Sequence, residues 1–183
     1  MEKDIIIISK VLNGDANAFE EIIESYNNRI LSFICKMGIN AEDSKDLTQE
    51  VFIKAYNNLY RYNKIWKFST WLFTIATNIT KDFFKSKKIA SHYMNKLNNS
   101  TKDSSYKEPL VNLELKEFIQ DMLNVLDDDV KAMLILFYYL DLPHKEIANI
   151  FHTKPGIVKM KIHRARKKIC DQFGKRWEDE YHV

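Results

Sequence analysis

The sequence predicts an all-α fold of two helical domains joined by a flexible linker, the second containing a helix-turn-helix. Three observations carry this. The chain has only four glycines and three prolines in 183 residues, too few for the many turns of a β architecture. Apolar residues recur at three- and four-residue spacing, with no run of strand-like alternation. And residues 85–112, KSKKIASHYMNKLNNSTKDSSYKEPLVN, lose every apolar stripe and fill with Ser, Asn and Lys, as a linker does. The boundaries are therefore a first domain over 1–86, a linker over 87–112, a second domain over 113–176 and a tail over 177–183.

Ile5 to Ile8 is a short apolar run flanked by charges, too short for a signal peptide or a membrane span, and fits a first helix. Asp15 to Met37 keeps helical spacing through Phe19, Ile22, Ile23, Tyr26, Ile30, Ile34 and Met37, with Asp15 as N-cap and Gly38 as stop. Glu42 to Tyr60 turns Leu47, Val51, Ala55 and Leu59 inward. Asp46, Gln49, Glu50, Ile53 and Asn57 fall on the other side, a half-acidic, half-apolar face suited to a protein contact or simply to water.

In Tyr60 to Phe68, YRYNKIWKF, the rings of Tyr60, Tyr62, Trp66 and Phe68 interleave with Arg61, Lys64 and Lys67. Rings that stack on bases and cations that hold phosphates suit a single strand. The competing reading is a loop whose rings enter the core. Ser69 to Lys85 is the next helix, capped by Ser69 or Thr70, with Leu72, Ile75, Ala76, Ile79 and Phe83 as its core stripe. Trp71, Thr74, Asn78, Lys81 and Lys85 share another face, where an amide can read a base edge and cations can hold the strand.

After the linker, Leu113 to Leu126 is amphipathic. Asp127 to Asp129 can cap Val130 to Leu140, which is apolar almost all round and should form the second core. His144 to Lys154 is a short helix ending in a tight turn, and Pro155 can open the helix that follows. There Val158, Ile162, Ala165 and Ile169 make the buried stripe, while Lys154, Lys159, His163, Arg164, Arg166 and Lys167 are candidates for duplex DNA. Charge agrees: residues 154–176 carry nine basic side chains against Asp171, whereas residues 113–153 carry three against eight acids. One helix holds the phosphate-binding footprint.

No enzyme chemistry emerges. No glycine-rich phosphate loop is present, the five histidines make no metal spacing with the cysteines, and no nucleophile–base arrangement stands out, so neither cofactor nor metal is expected. Cys35 and Cys170 fit a reduced, cytoplasmic setting.

With these parts placed, the chain from about Ala16 to Ile169 resembles the small, two-domain extracytoplasmic-function (ECF) group of bacterial sigma factors. DLTQEVFIKAY (Asp46 to Tyr56) is similar to the family's polymerase-docking helix. FSTWLFTIATNITKDFFK (Phe68 to Lys85) resembles the helix that opens the promoter and captures non-template bases, and PGIVKMKIHRARKKI (Pro155 to Ile169) the recognition helix for the upstream element. The resemblance implies that Asp46, Gln49, Glu50 and Ile53 touch core RNA polymerase. It sets Asn78 at an extruded base with Trp71 and Lys81 nearby, and Lys159, His163, Arg164, Arg166 and Lys167 on the duplex. It implies a cytoplasmic initiation factor, nucleoid-associated when bound to polymerase, with promoter DNA and an anti-sigma factor among its partners. Three departures stand out. His152 occupies a turn position where glycine is common, Ile157 and Met160 stand where Thr and Ser are common, and Pro143 replaces a capping serine. The alternative function is a conventional two-domain helix-turn-helix regulator, for which the aromatic–basic stretch Tyr60 to Phe68 would have no use.

Overall fold

A computed structural model describes the backbone of residues 2–94 and 110–181, and the side chains of residues 2–89, 115 and 117–175. Eight α-helices and two 3-10 turns occur among the described residues, and no strand. The helices up to residue 94 form one compact unit and those from residue 110 form another.

In the first unit, α1 (Glu2–Leu12) buries Ile7 and Ile8. Asp15 is a cap, but of a 3-10 turn, Ala16–Ala18: its Oδ1 accepts from Ala18 N at 3.3 Å. The long helix α2 (Phe19–Lys36) therefore starts at Phe19, where the apolar periodicity begins, three residues later than Asp15 as its N-cap would place it. It ends as expected at Gly38, whose φ of +89° suits a residue without Cβ. Asn40 caps α3 (Ala41–Asn57), accepting from Asp43 N at 2.8 Å. Leu47, Val51, Ala55 and Leu59 are all buried, as their spacing predicts.

Helix α4 spans Phe68–Met94. Ser69 and Thr70 lie inside its first turn rather than capping it, and both are buried. It runs through residues 87–94, where the sequence predicts linker, because nothing there breaks a helix: no Gly or Pro intervenes before residue 109. The remainder of the predicted linker up to Pro109 lies outside the described residues. Helices α2, α3 and α4 pack on one another around Phe33, Phe68, Phe73 and Leu72. Lys87 Nζ meets Asp43 Oδ2 at 3.0 Å, tying the later part of α4 to the start of α3.

In the second unit, α5 (Leu110–Asn124) begins three residues before the predicted start. Its Phe118 is buried edge-on against Phe173, the centroids 5.9 Å apart. Asp127 sits at the N-cap of α6 (Asp128–Tyr138) without a side-chain cap bond, and Asp128 and Asp129 occupy the first turn, where the helix dipole favours them. Ala132 to Leu136 form the core, but Tyr138 and Tyr139 at the end of the same apolar stretch are exposed. Lys131 is buried, its Nζ donating to Asn124 Oδ1 at 3.0 Å, and burial lowers its pKa.

Pro143 starts α7 (His144–Ile150) through its carbonyl, which accepts from Glu146 N at 2.9 Å and Ile147 N at 3.2 Å. Any residue's carbonyl makes these bonds at a helix start, so the helix begins here without the side-chain cap that a serine would add. Helix α8 (Pro155–Tyr181) continues through most of the predicted tail, since the acidic run is helix-compatible and no breaker follows. No helix among the described residues is long and apolar enough to cross a membrane.

Candidate nucleic-acid interface

The aromatic–basic stretch divides by burial. Leu59–Arg61 forms a 3-10 turn after α3. Tyr62 and Phe68 enter the core, at 7% and 0% exposure, while Tyr60 and Trp66 remain exposed at 66% and 38%. Of the two readings of this stretch, the core reading holds for Tyr62 and Phe68, and the open one fits Tyr60 and Trp66. The buried rings make a platform: Tyr62 lies 5.5 Å from Phe68 and 5.7 Å from Trp71, and Phe68 lies 5.5 Å from Trp71. Tyr26 of α2 closes it from behind, 5.7 Å from Phe68.

Trp71, packed on those buried rings, is the one ring of the cluster that lines a cleft of about 280 Å³, together with Lys54, Asn58, Arg61, Ile75, Asn78 and Ile79. Ring, amide and guanidinium thus converge on one space, floored by isoleucine side chains. The sequence singles out Arg61, Trp71 and Asn78, which meet here. It misses Lys54, Asn58, Ile75 and Ile79. The first two belong to the end of α3, and only the packing of α3 on α4 brings them to Trp71. Their one sequence signal is an i, i+4 polar pair just before the aromatic stretch.

The polar groups at this cleft are held by short local bonds. Asn58 Nδ2 donates to the Lys54 carbonyl at 2.8 Å, which leaves its Oδ1 as an acceptor. Lys54 pairs with Glu50 at 2.7 Å. Arg61 Nε donates to the Tyr60 hydroxyl at 3.0 Å, with its guanidinium 5.4 Å from that ring. Thr74, predicted to offer a hydroxyl, donates instead to the Thr70 carbonyl at 2.9 Å. Neither Thr74, Lys81 nor Lys85 lines the cleft. Lys85, Lys67 and Asn78 are exposed, and Thr74 and Lys81 half-buried.

On α3, Asp46, Gln49, Ile53 and Asn57 are exposed and Glu50 half-buried, so they share the surface opposite the buried stripe. Ile53, at 59%, is an apolar side chain left in water amid polar neighbours. On α8, Val158, Ile162 and Ala165 are buried while Ile169, predicted with them, is half-buried; Lys159, His163, Arg164, Arg166 and Lys167 are exposed, as is Lys154 just before the helix. One cation of this basic stretch is otherwise engaged: Lys168 Nζ donates to the Val125 carbonyl at 2.6 Å, just past the end of α5. The turn before α8 holds His152 at φ +51°, the left-handed conformation that glycine adopts more readily, and Thr153 N closes on the Ala148 carbonyl at 2.9 Å.

Comparison with known proteins gives this arrangement its place. Residues 22–89 match the family Sigma-70 region 2, and residues 117–169 match Sigma-70, region 4. The chain is 32% identical over 177 residues to the ECF RNA polymerase sigma factor SigW of Bacillus subtilis, covering 91% of this chain and 94% of that one. It is 27% identical to the ECF sigma factor SigM of the same organism, over 88% of this chain and 98% of the relative. Among solved structures, CnrH in complex with the cytosolic domain of CnrY superposes with a TM-score of 0.72 at 20% identity, over 93% of this chain and 96% of that one. The sigma factor RpoE of Bartonella quintana, solved with the anti-sigma factor NepR, gives 0.66 at 21%, over 84% and 94%. With a region 2 unit that carries the cleft, a region 4 unit that carries the basic helix, and relatives spanning nearly its whole length, the chain belongs to the ECF group of RNA polymerase sigma factors, which are transcription initiation factors.

Proposed function

We propose that this sigma factor works by binding alone, with three surfaces dividing the labour. The first domain, residues 1–86, docks on core RNA polymerase through the outer face of α3, with Ile53 as the apolar centre and Asp46, Gln49, Glu50 and Asn57 around it. The same domain captures one unstacked base of the non-template strand in the cleft. Trp71 offers a ring face, Asn78 a base-edge reader, and Arg61 with Lys54 the positive charge for the strand. Tyr60, Trp66, Lys67, Thr74, Lys81 and Lys85 flank the path of that strand. The second domain, residues 113–176, sets α8 in the major groove of the upstream element, with Lys154, Lys159, His163, Arg164, Arg166 and Lys167 on phosphates and base edges.

The observation that carries this reading is the cleft: about 280 Å³, lined by an indole, two amides and two cations. It suits a planar heterocycle with polar edges. Unstacking a base costs a few kcal/mol, and a ring to stack on together with an amide to pair with offsets that cost. On this reading the protein works in the cytoplasm with RNA polymerase, and on the nucleoid when bound to it. Two solved neighbours are in complex with protein partners, the cytosolic domain of CnrY and the anti-sigma factor NepR, so an anti-sigma factor belongs to the proposal as well.

The test is promoter-dependent transcription by core polymerase supplemented with this chain. Discrete starts that need the chain are expected. Asn78→Ala should weaken strand opening by tenfold or more while leaving upstream-duplex binding within about twofold, as one lost base-edge contact predicts. Equal loss in both assays would remove the cleft from strand capture.

A further inference from the structure

The outward face of α8 is not uniformly polar. At 100° per residue, Gly156, Met160, His163, Arg164 and Lys167 lie opposite the buried Val158, Ile162 and Ala165. Met160 stands in the middle of that face, one turn after Gly156 and one turn before Arg164, and is 42% exposed. Ile157, three residues before it, is 38% exposed on the flank. A thioether and a branched aliphatic chain held in water among cations gain nothing from phosphate. They gain only when something apolar covers them.

The surrounding cations select a polyanion as what approaches this face. In the major groove of duplex DNA the apolar feature is the 5-methyl group of thymine. Gly156 adds an independent observation. A Cβ built there meets nothing within 4 Å, and no positive φ demands glycine at that position. Glycine has a lower helix propensity than alanine, so the fold itself gains nothing from it at this position. What its bare backbone does provide is close approach at the first turn of the helix.

We propose that Met160, flanked by Ile157, reads thymine methyl groups in the upstream promoter element. The chain then prefers T·A over C·G at one or two positions facing the start of α8. This rests on the reading of α8 as the duplex-binding helix.

The experiment uses holoenzyme, made from core polymerase and the full chain, on duplexes carrying the upstream element that transcription selects. Each thymine is replaced singly by deoxyuridine, which deletes the methyl group and keeps every hydrogen-bonding edge. Binding should weaken about fourfold at one or two positions, the value of one buried methyl group. In Met160→Ala or Ile157→Ala holoenzyme that position-specific penalty should vanish while the other positions behave as in the wild type, the signature of direct coupling. Both side chains are exposed, so the substitutions leave the core intact, which circular dichroism checks. The proposal is overturned if no thymine is sensitive, or if the sensitivity persists in both variants. Arg164→Ala separates the two levels. If it weakens duplex binding while deoxyuridine does nothing, only the thymine reading fails. If it leaves binding and its salt dependence unchanged, α8 is not in the groove and both fail.

Discussion

Tyr62 donates its hydroxyl hydrogen to the carbonyl oxygen of Trp66 at 2.7 Å, and so fastens the exposed part of the aromatic loop to its buried part. Burial, and then the nearby Asp4 carboxylate, raise the pKa of Tyr62 and keep the donor proton in place. Tyr62→Phe keeps the ring against Phe68 and Trp71 and loses only the bond. The expected result is a stability loss of about 1 kcal/mol and greater quenching of tryptophan fluorescence by acrylamide. Unchanged quenching would mean that the loop is held by packing alone.

Thr70 is wholly buried, and its hydroxyl has no hydrogen-bond partner. Thr70→Val keeps the shape and removes the orphaned group, so unfolding in urea should show a gain of about 1 kcal/mol. A loss would show that the hydroxyl is satisfied in solution.

Tyr26 donates to Asp4, and burial together with that carboxylate pushes its pKa from 10.0 up to about 12. The folded state therefore keeps a proton that the unfolded chain gives up near pH 10. The associated stability is complete below pH 10 and is lost as pH rises through about 12. Urea midpoints for the wild type should fall across that window more steeply than those for Tyr26→Phe. Parallel curves would contradict the shift.

Lys168 and Arg164 belong to one basic stretch yet should respond differently. Lys168→Met removes the bond to the Val125 carbonyl and should cost about 1 kcal/mol of stability, with the salt slope of duplex binding unchanged. Arg164→Ala should leave stability alone and lower that slope by about one. Titrations over a range of potassium chloride, run beside thermal melts, read both. The opposite pattern would exchange the two roles.

What the sequence makes legible is whatever depends on one helix at a time. The buried stripes of α3 and α8 follow from spacing, and the charge of α8 from composition. Helix ends are less legible: α4 and α8 outrun their predicted limits because polar composition suggests linker or tail while no residue stops the helix. The cleft is half legible. Trp71 and Asn78 share a face of α4, but Lys54 and Asn58 reach them only when α3 lies alongside, and no periodicity encodes that. The Tyr60 to Phe68 stretch reads as one alternating row, and only the tertiary fold sorts Tyr62 and Phe68 inward.

The buried hydroxyls of α3 and α4 have a consequence for how such a protein can diversify. Ser44 bonds to the Ile39 carbonyl, Thr48 to that of Ser44, Thr77 to that of Phe73 and Thr80 to that of Ala76. Each of these bonds is local in the chain and none crosses between the helices, so exchanging one hydroxyl for a methyl group strands no partner on the neighbouring helix. A substitution at one of these hydroxyls on α4 therefore calls for no matching change at a hydroxyl on α3. Such positions can exchange a hydroxyl for a methyl group one at a time, each change answered within its own stretch of chain.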